Sequence, residues 1–338
     1  MSGRAILAPL TSLYRMGLTW RERRLRSGAE PVQRLRLPVI SVGNLSTGGA
    51  GKTPLTIALA KAMVARGFLV DVLSRGYGRS GRAPARVRPG ESADEFGDEP
   101  LLIAGQAGVP VYVADQRYDA GLLAESEVLP GVSAVHLLDD GFQHRQLFRD
   151  IDILLLSGAD LDDRLLPAGN LREPLSALQR ATVLAIPAGD EHLENYLRHR
   201  VHTGDGSEGP RWSGPVWRLR RSMEVPKVVG PVFAFCGIAR PEQFFEGLEA
   251  AGMRLAGRRA FRDHHRYNTA DLGRLAAQAK AAGASEMVTT EKDAVRLTRL
   301  KAPLPVLTAG LRIEIEDEAG ALDLLMARLA GQVGRAAR

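Results

Sequence analysis

The chain has 338 residues, of which 45% are hydrophobic and 25% are charged. This balance is typical of a globular protein and excludes a largely disordered chain, and the length predicts two domains. The single cysteine, Cys236, excludes an internal disulfide and favours a reducing cytoplasm. The sequence lacks the run of roughly 18 apolar residues that a membrane-spanning helix needs, and its arginine-rich start is not of the secretory type.

The positive charge of the chain is concentrated at its N-terminus. Residues 1–36 contain eight arginines and two glutamates, an excess that equals the net charge of +6 for the whole chain. We predict a helix over residues 2–26, in which arginines alternate with apolar side chains that include Trp20. Such a helix can lie in the interface of an anionic membrane, or it can pack on its own domain. A nucleic-acid partner is not expected, because no aromatic-rich recognition module follows.

Alternating strands and helices follow from residue 37 onward. Strongly apolar runs separated by helical segments are typical of a parallel sheet that is covered on both faces. We therefore predict an α/β domain over residues 37–202. Its predicted strands are 37–42, 69–74, 109–113, 134–138, 151–156 and 182–186, and its predicted helices are 52–66, 99–107 and 116–125.

A stretch rich in Gly, Ser and Pro at residues 203–215 predicts a linker between two domains. We assign residues 1–36 to a basic membrane-associating region, 203–222 to the linker and 223–338 to a second, smaller α/β domain. We expect this domain to close on the first across a cleft. Its predicted strands are 231–236, 254–261, 286–290 and 306–307, and its predicted helices are 241–251, 269–282, 294–300 and 318–329.

The segment GNLSTGGAGKT, residues 43–53, lies between a predicted strand and a predicted helix, which is the context of a P-loop. Backbone N–H groups of such a loop and the N-terminus of the helix bind phosphate oxygens. Lys52 is expected to reach the β- and γ-phosphates of ATP, and the Thr53 hydroxyl to bind Mg²⁺. Ser46 occupies a position where the usual pattern has glycine, so the loop is a variant. The predicted nucleotide-binding residues are Ser46, Thr47, Gly48, Gly49, Ala50, Gly51, Lys52, Thr53 and Pro54.

Asp139 and Asp140 directly follow the predicted strand 134–138. Acidic residues at the carboxyl end of a strand can hold Mg²⁺ beside a P-loop, so both are predicted metal ligands. The alternative is an Asp-Gly turn. Gln143 and His144 follow closely and can line the same site. The sequence does not separate the roles of the two aspartates.

Other polar residues also follow strand ends or begin helices. Asp98 and Glu99 can simply begin a helix, or Asp98 can act as the base that orients the attacking hydroxyl. Arg75 lies in a glycine-rich loop that is either solvated or phosphate-binding. His264 either caps a loop or contributes to the site, and Glu291 either begins a helix or faces the P-loop across the cleft.

Eight motifs, in order along nearly the whole chain, resemble those of the tetraacyldisaccharide 4′-kinase (lipid A 4′-kinase) family: PVISVGNLSTGGAGKTP, LSRGYGR, GDEP, DDGFQHR, LLPAGNLREPLSAL, FCGIARPEQF, DHHRYNTADL and TTEKDAVRL. The resemblance implies transfer of the ATP γ-phosphate, with Mg²⁺, to the 4′-hydroxyl of a tetraacylated glucosamine disaccharide 1-phosphate in lipid A biosynthesis. It also implies a peripheral location at the cytoplasmic face of a bacterial inner membrane. No obligate protein partner is expected.

The resemblance implies roles for individual residues as well. Asp98 and His264 are the implied catalytic pair, and Lys52 of the P-loop acts with them. The implied fold is a P-loop NTPase-like parallel-sheet domain plus a second, smaller α/β domain, joined by a short strand-like linker. Residues with predicted substrate-binding or supporting roles are Arg75, Glu99, Gln143, His144, Arg172, Glu173 and Glu291.

Three other functions are compatible with a P-loop. A GTPase switch is disfavoured, because the sequence has no N-K-x-D base-reading motif and residues 291–293 lack its spacing. A membrane-bound nucleotide sensor would bind ATP without lipid-dependent turnover. A kinase for a soluble small molecule would not need a basic N-terminal helix.

Overall fold

The computed structural model describes residues 7–88, 90–129, 132–198 and 212–336. We call residues 7–198 the N-terminal half and residues 212–336 the C-terminal half. The N-terminal half contains, in order, α1 (Ala8–Arg26), β1 (Val39–Asn44), α2 (Lys52–Ala65), β2 (Leu69–Ser74), β3 (Ala85–Arg86), α3 (Ala93–Phe96), α4 (Asp98–Ala107), β4 (Val111–Val113), α5 (Arg117–Glu127), β5 (Ala134–Asp139), β6 (Ile151–Leu155), α6 (Gly158–Leu161), a 3-10 helix (Leu175–Arg180), β7 (Val183–Pro187) and α7 (Glu191–Arg198).

The C-terminal half repeats the alternation of strands and helices. It contains β8 (Val216–Glu224), β9 (Val232–Cys236), α8 (Pro241–Ala250), β10 (Leu255–Ala260), α9 (Thr269–Ala281), β11 (Met287–Thr290), α10 (Glu291–Leu297), β12 (Val306–Ile315) and α11 (Glu318–Ala336). The predicted linker lies partly outside the described residues, and its last residues belong to strand β8. The domain boundaries therefore stay a prediction.

The strands form one sheet in the order β10-β9-β11-β12-β8-β7-β6-β1-β5-β2-β4-β3. Two sets of strands are parallel within themselves. The first set consists of β1, β2 and β4–β7, and the second consists of β9, β10, β11 and β12. The α/β class with a large, mostly parallel sheet is confirmed. The antiparallel exceptions are the short edge strand β3 and the pair of β8 with β12.

The β8–β12 pair joins the two parallel sets of strands. Residues 216–219 of β8 continue the first set by pairing in parallel with β7, whereas residues 219–224 pair antiparallel with residues 310–315 of β12. The first four residues of β12 then pair with β11. The strands of the two sets consequently run toward each other, and their carboxyl ends face one another along this ladder.

One hydrophobic core crosses from one half to the other. It combines Ile40 of β1 and Leu55 of α2 with Ile313 of β12 and Leu325 of α11, all of which are buried. Smaller clusters pack β9 and β11 against α8 and α9 in the C-terminal half. Because the shared core includes β12 and α11, the C-terminal segment of the chain packs directly on the helix that follows the P-loop.

A group of buried charges links three elements of the N-terminal half. His136 of β5 is fully buried, with its Nδ1 atom 2.7 Å from Asp71 Oδ1 of β2 and its Nε2 atom 3.6 Å from Glu125 Oε1 of α5. Burial alone would lower the pKa of His136, but the hydrogen bond and charge of Asp71, helped by Glu125, outweigh it and raise this pKa to about 9. A protonated histidine therefore stabilises the sheet here.

Replacement of His136 should reduce stability in a pH-dependent way. Because the pKa of the folded form is raised, its contribution is complete below the unfolded value of about 6.5 and is lost as the pH rises through about 9. His136→Gln should lower the free energy of unfolding by about 2 kcal/mol near pH 6, and by less near pH 10. Urea unfolding of both proteins at the two pH values measures the difference, and an equal loss at both would contradict this account.

Candidate active site

The glycine-rich loop between β1 and α2 is held by a second segment of chain. Ser46 and Leu171 form an isolated antiparallel bridge, and the Thr47 amide donates to the Asn170 carbonyl at 2.8 Å. This pairing keeps Ser46 extended, so the glycine that is usual at this position is not required. Gly51, with φ of 91°, provides the left-handed turn from which α2 begins.

Asn44 organises the base of this loop. It is fully buried, and its Nδ2 atom donates to the Ser46 carbonyl at 2.9 Å. Its Oδ1 atom accepts hydrogen bonds from Lys52 Nζ at 2.9 Å and from Arg172 Nη2 at 2.5 Å. One amide side chain thus fixes both the loop backbone and the lysine that the sequence assigns to phosphate binding.

Asp139 lies beside the start of α2. It is 2% exposed, with Thr53 Oγ1 3.4 Å from Oδ2 and Thr56 Oγ1 3.2 Å from Oδ1. Burial, together with the charges of Glu99 and Asp140, raises the pKa of Asp139. A buried carboxylate next to a threonine hydroxyl provides the oxygen donors that Mg²⁺ prefers, so these residues fit this ion.

Asp140 has different surroundings. Its carboxylate oxygens accept two hydrogen bonds from Arg172, at 2.8 and 2.9 Å, and Oδ1 lies 3.5 Å from Lys52 Nζ. Burial alone would raise the pKa of Asp140, but Lys52 and Arg172 hold it well below its usual range. The structure therefore separates two aspartates that the sequence left equivalent: hydroxyls surround Asp139, and cations surround Asp140.

Residues from both halves meet at the N-terminus of α4. Asp98 Oδ2 lies 2.9 Å from His264 Nδ1 and also accepts a hydrogen bond from Arg296 of α10. Burial alone would raise the pKa of Asp98, but the bonds from His264 and Arg296 lower it to about 2. Beside this pair, Lys292 Nζ lies 3.0 Å from Glu99 Oε1 and 3.4 Å from His264 Nε2.

A cavity of about 1260 Å³ lies between the halves. His264 lines this cavity and also a smaller one of about 260 Å³, which Asp98 lines with it. The histidine therefore stands between the large cavity and Asp98. The predicted residues on the wall of the large cavity are Ser46, Thr47, Gly48, Gly49, Ala50, Gly51, Lys52, Thr53, Pro54, Arg75, Glu99, Asp139, Asp140, Gln143, His144, Arg172, His264 and Glu291.

Two of the glutamates predicted to belong to the site form ion pairs with arginines. Glu173 forms an ion pair with Arg180, which in turn lies over the ring of Phe142. Glu291 accepts hydrogen bonds from both terminal nitrogens of Arg312, at 2.8 and 2.6 Å. Each of these carboxylates is therefore held by an arginine, and the supporting roles of Glu173 and Glu291 stay predictions.

Two regions of the cavity wall are relevant to its ligands, one with apolar side chains and one with a group of arginines. The C-terminal half contributes an apolar part that includes Met223, Ile238 and Phe244. The basic part contains Arg21, Arg75, Arg117 and Arg172, with His144 among them. Burial, followed by the charges of neighbouring arginines that include Arg117, lowers the pKa of His144 to about 3, so this histidine is neutral near pH 7.

Sequence reasoning missed three residues of this site. Asn44 ends β1, Arg117 begins α5 just after β4, and Arg296 lies one turn after Lys292. Arg117 is 8% exposed, and its Nε atom is buried with no hydrogen-bond partner in the described structure. The rule applied to Asp139, that side chains after parallel strands face ligands, could have found Asn44 and Arg117.

Helix α1 packs beside the basic part of the cavity with one face. Tyr14 donates its hydroxyl to the Arg172 carbonyl at 2.8 Å, and Arg21 Nη2 donates to the Gln143 carbonyl at 2.7 Å. Elsewhere on its surface this helix exposes apolar side chains. These are Leu10, Leu13, Met16 and Trp20, between 48% and 66% exposed. Among the described residues, no helix combines the length and apolar content needed to cross a membrane.

Known proteins resemble this chain over nearly its whole length. A sequence model of the family described as Tetraacyldisaccharide-1-P 4'-kinase matches residues 3–330. Tetraacyldisaccharide 4'-kinase of Koribacter versatilis is 41% identical over 327 residues, which cover 93% of this chain and 96% of that protein. Its namesake of Parvibaculum lavamentivorans is 39% identical over 344 residues, which cover 98% of this chain and 94% of that protein.

A solved structure has the same fold. It is the "apo" form of LpxK from Aquifex aeolicus in complex with ATP, which superimposes with a TM-score of 0.75 at 31% sequence identity. The match covers 96% of this chain and 99% of that one.

Asn44→Ala should weaken nucleotide binding, because Lys52 and the loop carbonyl of Ser46 lose their common partner. We expect the Kd for ATP, measured by isothermal titration calorimetry, to rise about tenfold, the equivalent of about 1.4 kcal/mol. Asn170→Ala is the matched control, since its side chain bonds Asp163 and the substitution keeps the backbone carbonyl that accepts from the Thr47 amide. Unchanged affinity in Asn44→Ala would show that Asn44 does not organise the loop.

Proposed function

The chain belongs to the tetraacyldisaccharide-1-P 4'-kinase family, and we propose that it transfers the γ-phosphate of ATP to the 4′-hydroxyl of tetraacyldisaccharide 1-phosphate. One observation carries this proposal: a P-loop from the N-terminal half and a histidine from the C-terminal half, backed by a carboxylate, line one cavity of about 1260 Å³. A nucleotide sensor would not need the carboxylate and histidine opposite its phosphate loop.

The P-loop residues hold the phosphates of ATP in this proposal. Lys52, which Asn44 orients, reaches the β- and γ-phosphates, and the backbone of residues 46–51 surrounds their oxygens. Asp140, which Arg172 holds through two hydrogen bonds, lies 3.5 Å from Lys52 Nζ and helps to orient the lysine. The apolar part of the wall, with Met223 and Phe244, is suited to the base of the nucleotide.

Thr53 and Asp139 are the proposed residues for Mg²⁺. Their hydroxyl and carboxylate oxygens match this ion, and the raised pKa of Asp139 reflects a buried carboxylate that a cation would stabilise. The described residues contain no group of three or more His, Cys, Asp or Glu side chains that could hold a metal alone, so phosphate oxygens and water would have to supply the remaining ligands. When bound, Mg²⁺ neutralises charge that develops on the phosphates.

Asp98 and His264 receive the proton of the attacking hydroxyl. The 4′-oxygen forms a bond to the γ-phosphorus, the bond from this phosphorus to the β–γ bridging oxygen breaks, and ADP leaves. The hydroxyl proton passes to the Asp98–His264 pair, in which the carboxylate fixes the orientation of the imidazole through Nδ1. Phosphoryl transfer depends mainly on positioning, which agrees with a rigid pair fixed from both halves.

The basic part of the cavity is the proposed site for the lipid disaccharide. Its arginines can neutralise the 1-phosphate, and Arg117 has a buried Nε–H group without a partner in the described structure. Because α1 borders this part of the cavity, its exposed apolar face would place the opening at a membrane surface. We infer from this arrangement a peripheral position at the cytoplasmic face of the inner membrane.

The kinase assignment can be tested with labelled ATP, Mg²⁺ and purified disaccharide 1-phosphate in detergent micelles. Wild type should label the lipid, and Asp98→Ala should reduce kcat by about 100-fold or more, because the pair that receives the proton is disabled. Asp94→Ala, which removes an exposed carboxylate of α3, is the control and should retain activity. ATP hydrolysis by wild type without any labelled lipid would overturn the assignment and favour an ATPase switch.

The membrane role of α1 can be tested separately by sedimentation with vesicles that contain anionic phospholipid. The double variant Leu13→Glu/Met16→Glu should bind such vesicles at least about tenfold more weakly, because it places charges on the exposed apolar face. Leu122→Glu alters a similarly exposed leucine of α5 and should bind like wild type. Equal binding by all three proteins would exclude α1 as the docking element.

A further inference from the structure

Arg296 of α10 occupies a central position between the two halves. Its side chain is 6% exposed, which is rare for arginine and indicates that its donors are paired. It contacts Asp98 from the N-terminal half, and its Nη2 atom lies 3.1 Å from His264 Nδ1. Its Nη1 atom donates to Asp293 at 3.0 Å and to the Gly237 carbonyl at 3.3 Å.

Asp293 fixes the opposite end of this arginine. It is 0% exposed, and its two oxygens accept four hydrogen bonds, so the buried charge is fully satisfied. Besides Arg296, the donors are the Gly237 amide at 3.0 Å, the Thr290 hydroxyl at 2.7 Å and the Tyr267 hydroxyl at 3.1 Å. The network ties α10 to the loop after β9 and to the segment that carries His264. Arg296 is therefore held rigidly on the C-terminal side.

From this geometry, and resting on the proposed kinase function, we propose that Arg296 is a positioning residue for phosphoryl transfer. Anchored by Asp293, it holds the carboxylate of Asp98 in register with His264 Nδ1 across the interface between the halves. It lines the smaller cavity of about 260 Å³ behind the pair, on the side away from the P-loop. It therefore acts through Asp98 and His264 and not on the phosphates directly.

The chemistry of the side chain explains why an arginine is needed. A guanidinium group can present separate N–H donors to Asp293 and to Asp98 at the same time, whereas lysine offers one point charge. Asp98 Oδ2 accepts a hydrogen bond from Arg296 and also lies 2.9 Å from His264 Nδ1. Without the arginine the carboxylate could rotate away from His264, and a misplacement of about 1 Å in a catalytic group costs up to about 100-fold in rate.

The test compares Arg296→Ala and Arg296→Lys with wild type in the lipid phosphorylation assay. We expect kcat to fall by about 100-fold in Arg296→Ala and by less in Arg296→Lys, while the KM values for ATP and lipid change by less than about threefold. Arg299→Ala is the matched control. It removes an ion pair to Glu91, at 3.1 Å, that also joins the two halves, but the Arg299 side chain is 64% exposed, whereas that of Arg296 is buried.

Chemical rescue distinguishes positioning from a general structural effect. The smaller cavity can admit free guanidinium to the space vacated in Arg296→Ala, so guanidinium below denaturing concentrations should raise kcat of this variant severalfold. It should not raise kcat of wild type or Arg299→Ala. Thermal unfolding and ATP titration of each variant check that the P-loop remains folded, and if Arg296→Ala does not fold, Arg296→Lys decides by its kcat.

The outcomes of these assays distinguish a failure of the kinase assignment from a failure of the role proposed for Arg296. If wild type does not label the lipid, the kinase assignment itself fails. If wild type is active and the Arg296 variants match it, or lose activity through KM alone, or show no rescue in a folded Arg296→Ala protein, then Arg296 is not a positioning residue.

Discussion

The antiparallel pairing of β8 with β12 is the constraint on which the rest of the structure depends. Two sets of parallel strands point their carboxyl ends at each other along this six-residue ladder. Carboxyl ends of parallel strands are where α/β proteins bind ligands, and here two such edges border one cavity. The P-loop after β1 and the Thr290–Glu291 junction after β11 therefore come to opposite sides of the same space, and residues from distant parts of the chain become neighbours.

The three aspartates of the site have different surroundings, and their pKa values shift in different directions as a result. Asp139 is buried beside hydroxyls, Asp140 is bound by Arg172 and Lys52, and Asp98 is bound by His264 and Arg296. Of the three, only the pKa of Asp139 is raised, which matches a position for a cation. Asp98 differs from the other two in that its partners, His264 and Arg296, come from the C-terminal half, which agrees with the role proposed for it in accepting the hydroxyl proton.

Much of the fold could be predicted from the sequence, because buried parallel strands appear as apolar runs. Strand β8 could not, since Arg218, Arg220 and Arg221 make it resemble a polar linker, and its pairing with β12 is a long-range contact. Strand β12 has ten residues, but the sequence predicts only residues 306–307, because residues 310–315 owe their strand conformation to the long-range pairing with β8. The P-loop and the acids after β5 follow from local patterns, and the proximity of Asp98 to His264 came from the resemblance. Asn44 and Arg117 could have been found from their positions at the ends of parallel strands, whereas the role of Arg296 depends on long-range contacts that no local pattern encodes.

The central claim is that Asp98 and His264, brought together from the two halves, act as one unit in phosphoryl transfer. A double-mutant cycle tests it most directly, by comparing kcat for Asp98→Ala, His264→Ala and the double variant. We predict that the double variant will be about as slow as the slower single variant, because either change already disables the pair. Losses that multiply, so that the double variant is slower by the product of the two single effects, would contradict the account and show that the residues act independently.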